Sequence, residues 1–450
     1  MLHTAFTMCS RLALLAAMSL SLTACSADPL PVVTGHPLHT GTTPMPRLAL
    51  STTSSLAPAR PEPASHHQVP AGAPASFEQW RERFRREALA AGILPQVFDR
   101  AFAGVTPDPG VIRADRSQPE FSRPVWDYLD GALSTARISG GQKLLARHAA
   151  LLQQLENRYG VSRYTLVAIW GLESSFGQVT GNRPVIRSLA TLAYEGRRPD
   201  FARSQLLAAL QILQQGDIRP EYMQGSWAGA MGQTQFIPTT YQEYAVDFDG
   251  DGRRDIWNST ADALASTARY LQASGWQGRQ PWGFEVQLPR QFDYALADPE
   301  LQLPVARWRQ LGVQGIPAGH DSELASLLLL AGYRGPAFLT LNNFRSVLHY
   351  NNSSSYALAI SLLAERFQGQ GTLQARWPRQ DVPLSRSERI ELQQQLASLG
   401  FNPGSADGII GANTRQAIRA YQKANGWPAD GYPTQQLLGR LRLAPAGLSP

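Results

Sequence analysis

Along most of the chain, apolar side chains recur three and four positions apart, the period that collects them on one face of an α-helix. The pattern predicts a helix opening at Phe77-Glu78-Gln79-Trp80, and further helices over Gln142–Tyr159, Arg163–Ser174, Asp200–Gln215, Asp262–Ala273 and Ser355–Phe367. Between Pro281 and Val313 the period shortens, and Gly283-Phe284-Glu285-Val286-Gln287-Leu288 alternates as a strand would. An acidic, glycine-rich stretch at 247–262 interrupts the helical series. The expected fold class is mainly α, of the α+β kind: a helical body carrying a small β subdomain.

Three stretches depart from this pattern. Residues 1–24 pair a short basic leader with an apolar run, Leu12 to Leu22, that is too short to span a bilayer. Leu22-Thr23-Ala24-Cys25 then places small residues before a cysteine, which reads as a lipoprotein signal with lipidation at Cys25. With Ser26 after that cysteine, in place of Asp, the segment resembles lipoproteins sorted to an outer membrane. Residues 25–75 hold ten prolines and almost no charge, so they read as an extended tether of up to ~150 Å at about 3.1 Å per residue. Residues 368–383, rich in Gln, Gly and Pro, read as a linker between a main domain at 76–367 and a small unit at 384–442.

That last unit predicts three short helices. Ser385-Arg386-Ser387-Glu388 has capping-box spacing, and Leu392, Leu396 and Leu399 share a helical face. A weak duplication follows, with Ala406-Asp407-Gly408 and Ala429-Asp430-Gly431 each leading to a helix that opens near a threonine, Thr414 or Thr434.

Composition narrows the function classes. With 43% apolar and 17% charged residues among 450, the chain can bury a sizeable core and is not generally disordered. The net charge of +6 is almost all arginine, since Lys143 and Lys423 are the only lysines. No basic run is interleaved with stacking aromatics, so nucleic acid is not an expected partner. No ligand-spaced His cluster and no P-loop appears. After cleavage before Cys25 one cysteine would remain, so an intrachain disulfide is excluded.

The strongest candidate chemistry lies in Tyr164-Thr165-Leu166-Val167-Ala168-Ile169-Trp170-Gly171-Leu172-Glu173-Ser174-Ser175-Phe176-Gly177. On a helix, Leu166, Ile169, Trp170 and Glu173 share one face. A carboxyl ending an apolar stripe loses hydration, which favours its neutral form and suits a general acid. The pattern fits equally a buried glutamate paired with an arginine. A second run, Gly225 to Tyr241, combines small residues with Gln233 and Gln235, whose amides suit sugar hydroxyls and acetamido groups. Trp227, Phe236 and Tyr241 add flat faces for pyranose rings. The same run reads also as a tight helix–turn packing element. A third, Asp247-Phe248-Asp249-Gly250-Asp251-Gly252, places carboxylates at positions 1, 3 and 5 and glycine at 6, as an EF-hand Ca²⁺ loop does. Position 12 is Asn258 in place of the usual Glu.

Trp170-Gly171-Leu172-Glu173, the run Ser226 to Phe236, and Tyr350-Asn351 followed by Ser353 and Tyr356-Ala357 occur in that order. Together they resemble the membrane-bound lytic transglycosylase B family over Phe77 to Phe367. Residues 384–442 resemble the peptidoglycan-binding domain type 1 family. The first resemblance implies a lysozyme-like fold, Glu173 as the sole catalytic acid, and glycan contacts at Ser226, Met231, Gln233, Gln235, Tyr350 and Asn351. It also implies a structural Ca²⁺ held by Asp247, Asp249, Asp251, the Arg253 carbonyl and Asp262, and no cofactor for catalysis. The implied reaction cleaves the β-1,4 bond between N-acetylmuramic acid and N-acetylglucosamine and closes a 1,6-anhydro ring. Expected partners are peptidoglycan strands and, through Cys25, outer-membrane lipid, with the protein a monomer on the periplasmic face. Two rivals remain: a goose-lysozyme-like hydrolase releasing reducing ends, and a non-catalytic murein anchor.

Overall fold

The computed structural model describes residues 76–117 and 123–444, so the signal, Cys25 and the tether lie outside the described residues. Helix Arg163–Ser174 is the axis of the first core. Thr165 to Gly171 are buried without interruption, together with Ser174. A helix apolar all round must be enclosed. It is wrapped by Thr135–Arg147, Ala149–Tyr159, Thr260–Ala273 and Ser354–Phe367. The expected single helix over 142–159 is broken in two at His148, which leaves helical geometry at φ −102°, ψ 22°. Thr260–Ala273 starts where Ser259 accepts the Asp262 N–H, and Ser354–Phe367 where Ser353 accepts that of Tyr356.

A second core is aromatic at its N-terminal side. In Phe77–Ala90, Trp80 stacks on Phe77 at 5.3 Å and on Phe84 at 5.4 Å, while Phe98 stacks on Phe102 at 4.3 Å. This layer packs on Val185–Glu195 and Pro199–Gln215, two helices with apolar faces turned to each other. A two-residue ribbon, Arg183–Pro184 with Gln224–Gly225, delivers the chain to the Ser226 run.

The β subdomain is an antiparallel sheet in the order Gly283–Val286, Ala337–Thr340, Leu324–Leu329, Leu303–Pro304. Its register pairs Phe284 with Leu339 and Leu327 with the same residue. Trp308 is fully buried beneath it, its indole N–H donating to the Ala325 carbonyl at 3.0 Å.

The C-terminal unit has helices Arg386–Ser398, Ala412–Ala424 and Gln435–Leu443, the first with a complete capping box. The duplication has a physical basis. Gln393 donates to Asp407 and accepts from the Gly408 N–H at 2.8 Å; Gln422 donates to Asp430 and accepts from the Gly431 N–H at 2.9 Å. Each buried glutamine latches one Asp-Gly turn. In the second copy the other Asp430 oxygen accepts the Tyr333 N–H at 2.9 Å, joining this unit to the β subdomain.

The 368–383 segment is not a free linker. Glu285 accepts the N–H groups of Gln374 and Ala375 at 2.8 and 2.7 Å, and Arg379 forks onto Asp130 at 2.7 and 2.8 Å. Trp377 packs against Trp126 and Phe338.

Candidate active site

Glu173 sits one residue before the end of its helix, and the backbone around it is strained. Ser175 and Phe176 both take positive φ, 49° and 62°, which non-glycine residues rarely adopt. The turn folds the Phe176 ring back over Gly171, where a Cβ would lie 2.6 Å from the ring. Gly171 therefore permits the turn that exposes the end of the helix.

The Glu173 carboxyl has a tyrosine as its partner. Tyr356, at the start of Ser354–Phe367, donates its hydroxyl to Oε1 at 2.6 Å. Burial pushes the carboxyl up to about 7, and the tyrosine hydrogen bond opposes part of that rise. Its charge is felt by the hydroxyls of Tyr128, Tyr350 and Tyr356, all of which are pushed up chiefly by their own burial, Tyr128 to about 12. No arginine and no second carboxylate among the described residues acts on Glu173. The alternative of an arginine-paired structural glutamate therefore does not describe this site.

The Ser226–Phe236 run is pinned to the helix end. Ser174 donates its hydroxyl to the Gln233 carbonyl and accepts the Gly177 N–H at 2.8 Å. A Cβ on Gly177 would lie 2.8 Å from Gln233 Oε1, so only glycine allows the close approach. Gln235 adopts φ 54°, and its amide donates to the Thr180 and Gly232 carbonyls at 3.0 and 2.9 Å, while its own oxygen takes no donor among the described residues. Tyr350 donates to the Thr234 carbonyl at 2.5 Å, between the two glutamines.

The residues expected to touch glycan thus fall into two groups. Ser226, Gln235 and Tyr350 are half-buried around the helix end, and Asn351 is exposed. Met231 and Gln233 are not offered to a ligand. Met231 is fully buried in the second core, because its backbone pairs with Phe236 and turns its side chain inward. Gln233 is 6% exposed, its amide donating to the Trp257 carbonyl at 3.3 Å, so it works as a brace. Ser226 itself accepts the Ala230 N–H at 3.0 Å, which shapes the turn. The sequence alone does not single out Tyr356 or Tyr128 as site residues. Tyr356 lies inside the recognised Tyr356-Ala357 motif, whereas nothing local in Pro124–Asp130 marks Tyr128.

The acidic loop corrects one expected ligand set. Asp247, Asp249 and Asp251 are exposed and bring a carboxylate oxygen each within 4.8 Å of one another, a hard oxygen set that fits Ca²⁺. Each oxygen has two lone pairs, so the loop N–H bonds to Asp247 leave acceptor capacity. Asp262 is not among them. It is fully buried, with Oδ1 accepting from Phe248 and Oδ2 from Asp255, at 2.8 and 2.9 Å. It clamps the loop from behind, because the helix start at Thr260 points it inward. The Arg253 guanidinium pairs with Asp251 at 3.0 Å.

A family model described as a transglycosylase SLT domain matches residues 76–365, and one described as a putative peptidoglycan binding domain matches 385–441. SltB3 from Pseudomonas aeruginosa, solved in complex with NAG-anhNAM-pentapeptide and with NAG-NAM-pentapeptide, is 64% identical. The match covers 82% of this chain and all of that one, with a TM-score of 0.80. Slt35 from Escherichia coli, solved in complex with calcium, is 26% identical over 65% of this chain and 93% of its own, with a TM-score of 0.57. Membrane-bound lytic murein transglycosylase B of Escherichia coli K12 is 33% identical over 213 residues, 46% of this chain. The chain spans 57% of the length of that curated relative.

Proposed function

The chain belongs to the transglycosylase SLT domain family, and from that premise we propose that it is a lytic transglycosylase of murein with Glu173 as its one catalytic carboxyl. The observation that carries this reading is the Glu173 carboxyl itself: half-buried, held by one tyrosine, pushed up to about 7, with no second carboxylate among the described residues acting on it. Protonated Glu173 gives its proton to the glycosidic oxygen as the bond to C1 of N-acetylmuramic acid breaks. The carboxylate so formed takes the proton of the C6 hydroxyl of the same sugar, whose oxygen bonds to C1. The intramolecular nucleophile replaces the water that a pair of carboxylates would hold in a hydrolase. Ser226, Gln235, Tyr350 and Asn351 would bind the strand.

The domains in this reading are a lipoprotein signal at 1–24, a tether at 25–75, the transglycosylase domain at 76–367 and a murein-binding unit at 384–442. Cys25 would anchor the protein to the periplasmic face of the outer membrane. In support, one relative is named as membrane-bound. Asp247, Asp249 and Asp251 would hold a structural Ca²⁺ away from the chemistry.

Mass spectrometry of fragments released from purified sacculi tests the reading. Wild type should release products 18 Da lighter than hydrolytic ones, and Glu173→Gln none. Reducing-end products would make the enzyme a lysozyme, and no release by either protein would leave a murein-binding anchor.

A further inference from the structure

Away from Glu173, a groove of about 600 Å³ opens between the start of helix Arg163–Ser174, the turn at 276–282 and the second half of Ser354–Phe367. That volume lies in the range of ligand sites. At 1.5 Å per residue, Thr165 in its wall stands about 12 Å along the helix from Glu173. The groove and the catalytic carboxyl are therefore separate places on one rigid rod.

The walls carry a particular chemistry. Trp276 and Trp282 are half-buried, and both rings are fixed through their N–H groups. Trp276 donates to the Gly278 carbonyl at 3.0 Å, and Trp282 to Glu365 Oε1 at 2.7 Å. Amides line the same walls. Gln280 Oε1 is buried with no donor, and the Gln370 side chain makes no hydrogen bond among the described residues. The Gln280 oxygen is enclosed, so a ligand in the groove reaches it only once that side chain turns outward, whereas the exposed Gln370 amide is open to one. The charges nearly cancel: Glu156 is paired with Arg163, which leaves Arg279 and the half-buried Glu365 with opposite signs. An anionic polymer or a carboxylate-bearing peptide would find no net positive receptor here. A neutral polyol with apolar ring faces and N–H donors fits the indoles, the amides and the charge balance together.

We propose that this groove is a second saccharide site, holding a stretch of N-acetylated aminosugar chain away from the bond being cleaved. The inference rests on the glycan reading above. Such a site would raise the hold on a long strand without changing the chemistry at Glu173.

The test uses the full chain with Glu173→Gln, labelled with 5-fluorotryptophan and titrated with tetra-N-acetylchitotetraose by ¹⁹F NMR. Signals are assigned from Trp227→Phe, Trp276→Phe and Trp282→Phe. The Trp276 and Trp282 signals should shift and saturate, and Gln370→Ala should weaken that titration by about tenfold while the Trp227 signal, from the Ser226–Phe236 run, titrates as before. Trp276 and Trp282 signals that stay still while Trp227 saturates overturn the proposal, as does a titration indifferent to Gln370→Ala. If no tryptophan signal moves, the second site is overturned; a failure of wild type to release any fragment from sacculi identifies separately a failure of the glycan reading.

Discussion

The end of helix Arg163–Ser174 and the acidic loop each withdraw one carboxyl from water, Glu173 partly and Asp262 fully, and use it in opposite ways. Burial pushes both Glu173 and Asp262 up, and hydrogen bonds push each back. Glu173 has a single tyrosine hydroxyl, a partner that can hold the carboxyl in either protonation state. Asp262 accepts N–H groups from Phe248, Asp249 and Asp255, donors that cannot leave without unfolding the loop. Fewer donors and partial exposure at Glu173, against three N–H donors and full burial at Asp262, separate a carboxyl that exchanges a proton from one that ties a chain together. The two regions are also joined. The Ile256 carbonyl accepts the Gln233 N–H at 2.9 Å, and the Gln233 carbonyl accepts from Ser174 beside Glu173.

The contrast predicts opposite mutants. Glu173→Gln should cut turnover by about 10³-fold, within the span a positioned general acid supplies, and leave the fold intact by thermal melting. Asp262→Ala should do the reverse. Leaving three N–H groups unpaired costs on the order of 3 kcal/mol, seen as a melting point lower by several degrees with Glu173 chemistry retained below it. Loss of turnover in Asp262→Ala without lost stability would break the comparison.

A pH series sharpens it. The unfolded chain gives up the Glu173 proton near 4.5 and the folded protein near 7. The folded state binds the extra proton between these values, so stability falls as pH rises through that window and is flat above it. Glu173→Gln lacks this decline, and its melting point relative to wild type should climb from pH 4.5 to about 7. Turnover that needs the protonated acid should fall above about pH 7.

Tyr356→Phe removes the hydrogen bond that lowers Glu173. The alkaline limb of the pH–rate profile should move up, with kcat down about tenfold. A purely structural tyrosine would lower the melting point without moving the limb. The smallest effect concerns the metal. Ca²⁺ at ten times its Kd should add about 1.4 kcal/mol of stability, lost in Asp249→Asn and leaving kcat unchanged.

The central helix was legible because its ends and its apolar content are local properties, and Arg163–Ser174 spans what the periodicity predicts. The break at His148 was not, since apolar spacing continues across it while the chain turns to wrap that helix. The 368–383 segment reads as a linker by composition. Glu285 and Asp130, which hold it, are some 90 and 250 positions away. Met231 shows the same limit at the site: its motif is recognisable, but a backbone bridge to Phe236 decides that the side chain faces the core.

The amino-acid order alone determined the helical body, the short sheet, the small terminal unit and the position of Glu173, because periodicity, caps and turn residues act over a few positions. Tertiary structure decided that a tyrosine 183 residues away is the partner of Glu173, that Asp262 clamps where a ligand was expected, and that Gln233 braces where a sugar contact was expected. A carboxyl's chemistry is set by what surrounds it within a few ångströms, and those neighbours come from distant parts of the chain.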